Sequence, residues 1–254
     1  MSFLKLFQKA DLIASHRGSH SLYPENTFSA LSHSLGHCDF VELDVQLSSD
    51  KVAVIMHDDT LERTTDIKQI EIYKTRVPYK LSDFTYAELA SLDYGSWFYT
   101  NYMKPEPLLS LKKVLKFIKD NSLYINIEIK DIHDSFSDEE VISNIHQEIK
   151  DAKVKEFILL SSFRHEYLSL SKSIEPSIPT AALVSNVHPK NLLDYLKRFK
   201  IDAYHFNNKL VDKKTIKKLK EAGYFINIYT VNDSIRRQQL FDMGVNGVFT
   251  DLLE

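Results

Sequence analysis

Short β-branched and aliphatic runs alternate along this chain with longer stretches whose apolar residues recur every three or four positions. The first habit suits half-buried or buried strands, the second a helix with one buried face. The runs lie near residues 12–15, 41–47, 124–130, 157–160, 180–184, 203–206, 224–231 and 247–250. Helical spacing shows in Phe28, Leu31 and Leu35, in Leu111, Val114, Leu115 and Ile118, in Val141, Ile142, Ile145 and Ile149, and in Leu192, Leu193, Leu196 and Phe199. Capping chemistry agrees with the spacing. Asn26 is the expected cap of the first helix and Ser110 of the second, and Ser137-Asp138-Glu139-Glu140 reads as a capping box. Pro189 is expected in the first turn of the helix that carries Leu192. Further helices are predicted around His165–Ser171, over Asp212–Ala222 ending at Gly223, and over Asp233–Met243 ending at Gly244.

Eight strands separated by helices predict an α/β chain with a parallel sheet, and eight such units predict closure into a TIM-type (β/α)8 barrel. An open doubly wound sheet is the alternative. No glycine-rich dinucleotide fingerprint follows an early strand, which counts against it. The expected organisation is one domain over 1–254 with an insertion at about 59–107. That insertion holds Pro78, Pro105 and Pro107 and the aromatics Tyr94, Trp97, Phe98, Tyr99 and Tyr102. A segment this long between core elements is expected to fold. A short helix is predicted from Ser82 to Leu92 with Phe84 and Leu89 as anchors, and most of the aromatics are expected to pack the excursion down.

The second strand has a partner of its own. Val41–Leu47 and Val52–Met56 are separated only by Ser48, Ser49, Asp50 and Lys51, too short a link for a parallel crossover, so an antiparallel hairpin is expected at the active-site face. With Leu47 facing Val52, Glu42 falls opposite His57. Glu42 and Asp44 share a strand face because side chains two apart point the same way. Carboxylates gathered in a small buried volume repel and are costly to desolvate unless a cation neutralises them. All-oxygen ligands suit magnesium or calcium. A surface hairpin with solvated carboxylates is the alternative this stretch alone leaves open.

Composition narrows the partners. The chain has 254 residues, 43% hydrophobic, with a net charge of −3, so it has the mass for a full barrel and no basic field for nucleic acid. Lys213, Lys214, Lys217, Lys218 and Lys220 read as a solvated helix face. No run approaches the roughly 18 apolar residues of a membrane span. Lys5 interrupts Phe3–Phe7, and Lys9 and Asp11 follow, so neither a secretory signal nor stable membrane insertion is expected. Cys38 is the only cysteine, which suits a reducing compartment, and a cytoplasmic protein with an inert Cys38 thiol is the expectation.

In a barrel the chemistry gathers at the C-terminal strand ends. Here those ends carry His16 and Arg17, Glu42 and Asp44, Glu128 and Lys130, and Ser161 and Ser162, with His57 joining through the hairpin. Singly each has a bland explanation. Together, Glu42, Asp44 and Glu128 offer three oxygen ligands from neighbouring strands. Arg17 and Lys130 beside a dication call for an anion, and phosphate fits best. His16 and His57 are placed to act as general acid and base.

At these residues the sequence resembles the glycerophosphodiester phosphodiesterase family, within the phospholipase C-like phosphodiesterases. The matching segments are His16-Arg17-Gly18, Pro24-Glu25-Asn26-Thr27, Glu42-Leu43-Asp44-Val45, His57-Asp58-Asp59-Thr60-Leu61, Glu128-Ile129-Lys130, Ser161-Ser162-Phe163, Thr230-Val231-Asn232 and Gly247-Val248-Phe249-Thr250-Asp251, in family order. The resemblance implies a TIM-type barrel with an inserted region. It implies hydrolysis of a glycerophosphodiester to sn-glycerol 3-phosphate and an alcohol. It also implies His16 and His57 as the acid–base pair, a divalent ion on Glu42, Asp44 and Glu128, and Arg17 and Lys130 on the phosphate. Tyr229 stands where the family usually has Trp and is expected to line the substrate pocket, with Trp97 and Phe163 as further substrate contacts. The hairpin turn lacks the family's usual Gly, a difference expected to alter only turn geometry. Two rivals are an enzyme of lysophospholipase D type, with an apolar channel walled by Trp97, Phe98 and Tyr229, and a phosphate-binding barrel without catalysis.

Overall fold

The computed structural model describes residues 3–253. Nine strands form one sheet: β1 (Leu12–Ser15), β2 (Phe40–Leu47), β3 (Ala53–Ile55), β4 (Ile125–Ile129), β5 (Ile158–Ser162), β6 (Thr180–Val184), β7 (Ala203–Asn207), β8 (Phe225–Tyr229) and β9 (Gly247–Thr250). All but β3 are parallel to their neighbours, and β1 pairs with both β2 and β9, which closes an eight-stranded barrel. The helices are α1 (Phe3–Leu6), α2 (Phe28–Ser34), α3 (Tyr86–Leu89), α4 (Leu111–Asn121), α5 (Asp138–Ala152), α6 (His165–Ile174), α7 (Leu192–Arg198), α8 (Lys213–Glu221) and α9 (Ser234–Asp242). The expected (β/α)8 architecture is therefore present.

Alternation along each strand sorts side chains between two cores. Val41, Leu43, Val45 and Leu47 of β2 pack outward with Ile125, Ile127 and Ile129 of β4 against α4 and α5. On the opposite set of positions, Leu12, Ala14, Phe40, Leu159, Ala181, Ala203 and Phe249 fill the lower barrel. That layer is sealed by α1, which the sequence pattern did not single out. Phe3 meets Phe40 edge to face at 5.4 Å, and Phe7 stacks on Phe225 at 4.8 Å. An apolar plug at this end leaves the other end for polar groups.

Several local expectations change. The hairpin register is one residue away from the expected one, with Leu47 opposite Ala53 and Val45 opposite Ile55. Ser48 N donates to Val52 O at 3.1 Å, so the loop is Ser49–Lys51, three residues closed by a turn in which Lys51 N donates to Ser48 O. Lys51 takes the left-handed conformation such a loop requires, at φ 62°, although it is not glycine. The Ser48 hydroxyl accepts from Val52 N at 2.9 Å and donates to Asp50 at 2.7 Å, which holds the shorter turn. Asn26 does not cap α2. Thr27 does, accepting from Ala30 N. The helix expected over Ser82–Leu92 is shorter, a 3₁₀ turn at Leu81–Asp83 followed by α3 behind a Thr85–Glu88 capping box. α7 begins at Leu192, so Pro189 lies before it rather than in its first turn.

Residues 59–107 build their own apolar cluster. Leu61, Ile67, Tyr73, Tyr79, Leu81, Phe84, Leu89, Leu92 and Tyr94 are buried together against Val54 and Met56 of the hairpin arm. No helix among the described residues is long and apolar enough to cross a membrane.

Candidate active site

The mouth of the barrel begins with a strained turn. His16 follows β1, Arg17 is left-handed at φ 54°, and Gly18 at φ 74° donates its N–H to Glu42 O. A Cβ on Gly18 would stand 2.8 Å from the Ala30 backbone carbon, so only glycine lets the turn lie against α2. This turn thus aims two backbone donors at β2. The Arg17 N–H donates to Glu42 Oε2 at 2.8 Å beside the Gly18 bond, while the guanidinium donates from Nη1 to Glu25 at 2.9 Å.

Strand β2 supplies Glu42 and Asp44 on its inner face, and β4 supplies Glu128 opposite Asp44 in register. Oxygen atoms of the three carboxylates lie within 4.8 Å of one another, as the alternation predicts. Lys130 Nζ donates to Glu128 Oε1 at 2.7 Å and lies 3.3 Å from Asp44 Oδ1. Asn26, left-handed at φ 58°, donates from Nδ2 to Asp44 Oδ2 at 2.9 Å while its Oδ1 accepts from Asp44 N. Its place in the chain is thus a clamp on Asp44.

Charge is unevenly shared among these acids. Burial, aggravated by Asp44 and Glu128, pushes the Glu42 carboxyl well above its usual range. Burial and Asp44 lift Glu128 to about 7, against the opposing pull of Lys130. Burial also works against Asp44, but Lys130, His57 and Arg17 outweigh it and hold that carboxyl below its ordinary range. Two carboxyls thus resist ionisation for want of positive charge. Glu42 Oε1 and Arg17 Nε are both buried, and neither has a hydrogen-bond partner among the described residues, although Arg17 Nε stands 3.8 Å from Asp44 Oδ2. Three convergent carboxylates with one orphaned oxygen fit a hard divalent cation such as magnesium or calcium.

Each candidate histidine has a carboxylate behind it. His16 donates from Nδ1 to Asp251 Oδ1 at 2.6 Å, and His57 donates from Nδ1 to Asp58 Oδ1 at 2.6 Å. Both rings therefore keep Nε2 as the unprotonated nitrogen when neutral. The two carboxylates differ. Asp58 is also gripped by Arg63, from Nε at 2.6 Å and Nη2 at 2.9 Å, and Arg63 forks onto Glu25 at 2.7 Å from both terminal nitrogens. Asp251 instead receives His16, His20 and the Asn232 amide. Burial lowers the His57 pKa, with Lys130 and Arg17 adding to the effect and Asp44 opposing it. Gln46 donates to the carbonyls of Met56 and Asp58 at 3.0 and 2.8 Å, which fixes the turn that carries His57.

His16, Arg17, Glu42, His57 and Glu128 line a cavity of about 440 Å³, whose other lining residues include Phe163, Leu183, Asn207, Lys209 and Tyr229. Asp44 and Lys130 are not lining residues; they stand behind Glu42 and Glu128, Asp44 two residues along β2 from Glu42 and Lys130 bonded to Glu128. Phe163 and Tyr229 meet edge to face at 6.2 Å. Trp97 is not among the lining residues. It lies 5.9 Å from the Arg63 guanidinium and donates its indole N–H to Tyr94 O. Asp58, Arg63, Gln46, Asn26 and Asp251 were not singled out as site residues from the sequence. Only His57-Asp58 adjacency and the motif segments containing Asn26 and Asp251 pointed toward them.

Comparison with known proteins gives consistent findings. Residues 16–254 match the model of the glycerophosphoryl diester phosphodiesterase family. A glycerophosphodiester phosphodiesterase of Bacillus altitudinis is 32% identical over 244 residues, covering 94% of both chains. A phosphodiesterase structure from Oleispira antarctica, in complex with the product sn-glycerol-3-phosphate, superposes with a TM-score of 0.84 at 28% identity, covering 97% of this chain and 95% of that one. A structure from Silicibacter pomeroyi reaches a TM-score of 0.86 at 19% identity, covering 96% of this chain and 90% of that one, and speaks to the fold alone.

Proposed function

The chain belongs to the glycerophosphoryl diester phosphodiesterase family, and on that premise we propose that it hydrolyses glycerophosphodiesters to sn-glycerol 3-phosphate and an alcohol with the aid of a divalent cation and two histidines. One observation carries the reading. A buried acceptor without a partner, Glu42 Oε1, and a buried donor without a hydrogen-bond partner, Arg17 Nε, whose nearest charge is Asp44 Oδ2 at 3.8 Å, belong to residues lining the same cavity. A phosphate diester held beside a cation satisfies both.

Glu42, Asp44 and Glu128 would hold the ion, which when bound supplies Lewis-acid polarisation of a phosphoryl oxygen. Arg17 and Lys130 take up the charge that grows on the other phosphoryl oxygens. His57 is the base. Its carboxylate partner is already neutralised by Arg63, and burial disfavours its charged form. His16 is the acid. Its partner Asp251 faces two imidazoles and an amide, so its charge remains available to stabilise an imidazolium. His57 Nε2 takes the proton of the attacking oxygen as the new P–O bond forms. The bond to the alcohol breaks, and His16 Nε2 returns a proton to the leaving oxygen. The attacker is water, or the glycerol 2-hydroxyl through a cyclic phosphate. A substrate lacking that hydroxyl separates the two, since it is turned over only in the first case.

The test is a panel of glycerophosphodiesters assayed for released glycerol phosphate, with lysophosphatidylcholine alongside assayed for released choline and lysophosphatidic acid, each with magnesium, with calcium and with chelator. Release that depends on added metal supports the reading. Binding without turnover across the panel in either metal would defeat it, and turnover of the lysolipid alone would favour the lysophospholipase D rival.

A further inference from the structure

Beside the carboxylate cluster, a second set of donors converges at the barrel mouth. His16 Nδ1 and His20 Nε2 each stand 2.6 Å from the same oxygen, Asp251 Oδ1. The two rings are 5.5 Å apart and nearly perpendicular, at 77°, so their nitrogens approach that point from two directions. All three donor atoms lie within 4.8 Å of one another, and all three residues are partly exposed. The other oxygen of Asp251 accepts from Asn232 Nδ2 at 2.7 Å, and Asp251 N donates to Asn232 Oδ1, which holds the carboxylate from behind.

We propose that His16, His20 and Asp251 form a second metal site, selective for a borderline transition-metal dication of the zinc type, and that filling it withdraws His16 from proton transfer. The donor set decides the metal. Two imidazoles and one carboxylate with an open fourth position suit zinc or cobalt, whereas the all-carboxylate set of Glu42, Asp44 and Glu128 suits magnesium or calcium. One chain thus sorts two metal classes into neighbouring sites. His20 is the residue that makes the difference, since without it the second set has a single imidazole and a single carboxylate.

The inhibitory consequence rests on the reading of His16 as the acid; metal binding does not. A metal on Nδ1 sends the ring proton to Nε2 and leaves a neutral, metal-bound imidazole. That proton is held far more firmly than on an imidazolium, so the leaving alkoxide loses its donor. Asp251 is drawn to the metal in the same step and no longer supports a charged ring. Micromolar-range zinc is therefore expected to inhibit an enzyme saturated with magnesium, rather than to activate it.

The test uses the full chain with excess magnesium, titrated with zinc for activity and with cobalt for its visible d–d absorption. The key variant is His20→Gln, whose amide can still donate to Asp251. Wild-type protein is expected to develop the intense four-coordinate cobalt spectrum, bleached by zinc, and the variant is expected to lack it. The zinc concentration for half inhibition, each protein referred to its own turnover in magnesium alone, should rise at least about tenfold in the variant. The same cobalt spectrum in both proteins, or none in either, would overturn the site. Equal zinc inhibition of the two would overturn its link to activity. A wild-type spectrum lost in the variant, without zinc inhibition of the wild type, would support the site and count against His16 as the acid.

Discussion

Replacing Glu128 by Gln should make the metal-free protein more stable above neutral pH, not less. Glu128 is mostly buried beside Asp44, and its carboxyl is lifted from the ordinary 4.5 to about 7. A carboxyl with a raised folded pKa binds its proton more tightly when folded. Stability is therefore unaffected by this group below about pH 4.5 and falls as pH rises toward 7, where the folded state must give the proton up. The gap of 2.5 between those two values corresponds to about 3 kcal/mol at roughly 1.4 kcal/mol per unit. Gln keeps the oxygen that accepts from Lys130 Nζ and removes the titration. Urea unfolding in chelator at pH 5 and pH 8 measures the effect. Part of that loss precedes pH 5, so wild type should lose about 2–3 kcal/mol between the two beyond whatever the variant loses, and saturating magnesium or calcium should recover it for wild type only. A variant that is less stable than wild type at pH 8 in chelator, or an unchanged difference between the two pH values, would refute the account of the acidic cluster.

Other outcomes follow from single contacts. His16→Ala and His57→Ala should each lower turnover by about 10²–10⁴-fold with unchanged circular dichroism, measured at saturating substrate. Asp251→Asn should lower kcat with little change in KM, because it touches His16 and not the phosphate. Gly18→Ala, which sets a Cβ 2.8 Å from the Ala30 backbone at a positive φ, should cost about 1–3 kcal/mol in urea unfolding and reduce activity by displacing Arg17. Cys38, whose thiol donates to Ser34 O and is pushed up to about 12 by burial, should resist iodoacetamide at pH 8 until the chain is unfolded.

Much of the architecture was legible from one dimension. Period-two alternation decides which face of its own strand a residue takes, so the shared face of Glu42 and Asp44 followed from their spacing. Alternation of strand and helix led to eight parallel strands, and the motif segments led to the family. Such patterns are local, and a strand's own sequence carries them whatever it packs against.

What the tertiary structure alone decided is who meets whom. Closure of β1 onto β9 brings Asp251 to His16 across 235 residues. The inserted segment brings Arg63 back to both Asp58 and Glu25. Asn26 reads as a cap by its residue type, yet a left-handed backbone turns it onto Asp44. The hairpin register turned on the Ser48 hydroxyl and a left-handed Lys51, not on strand composition, which fits either register nearly as well. Periodicity constrains one element at a time, whereas pairing, register and the fate of an orphaned polar atom are set by the geometry of closing all the elements around a common interior.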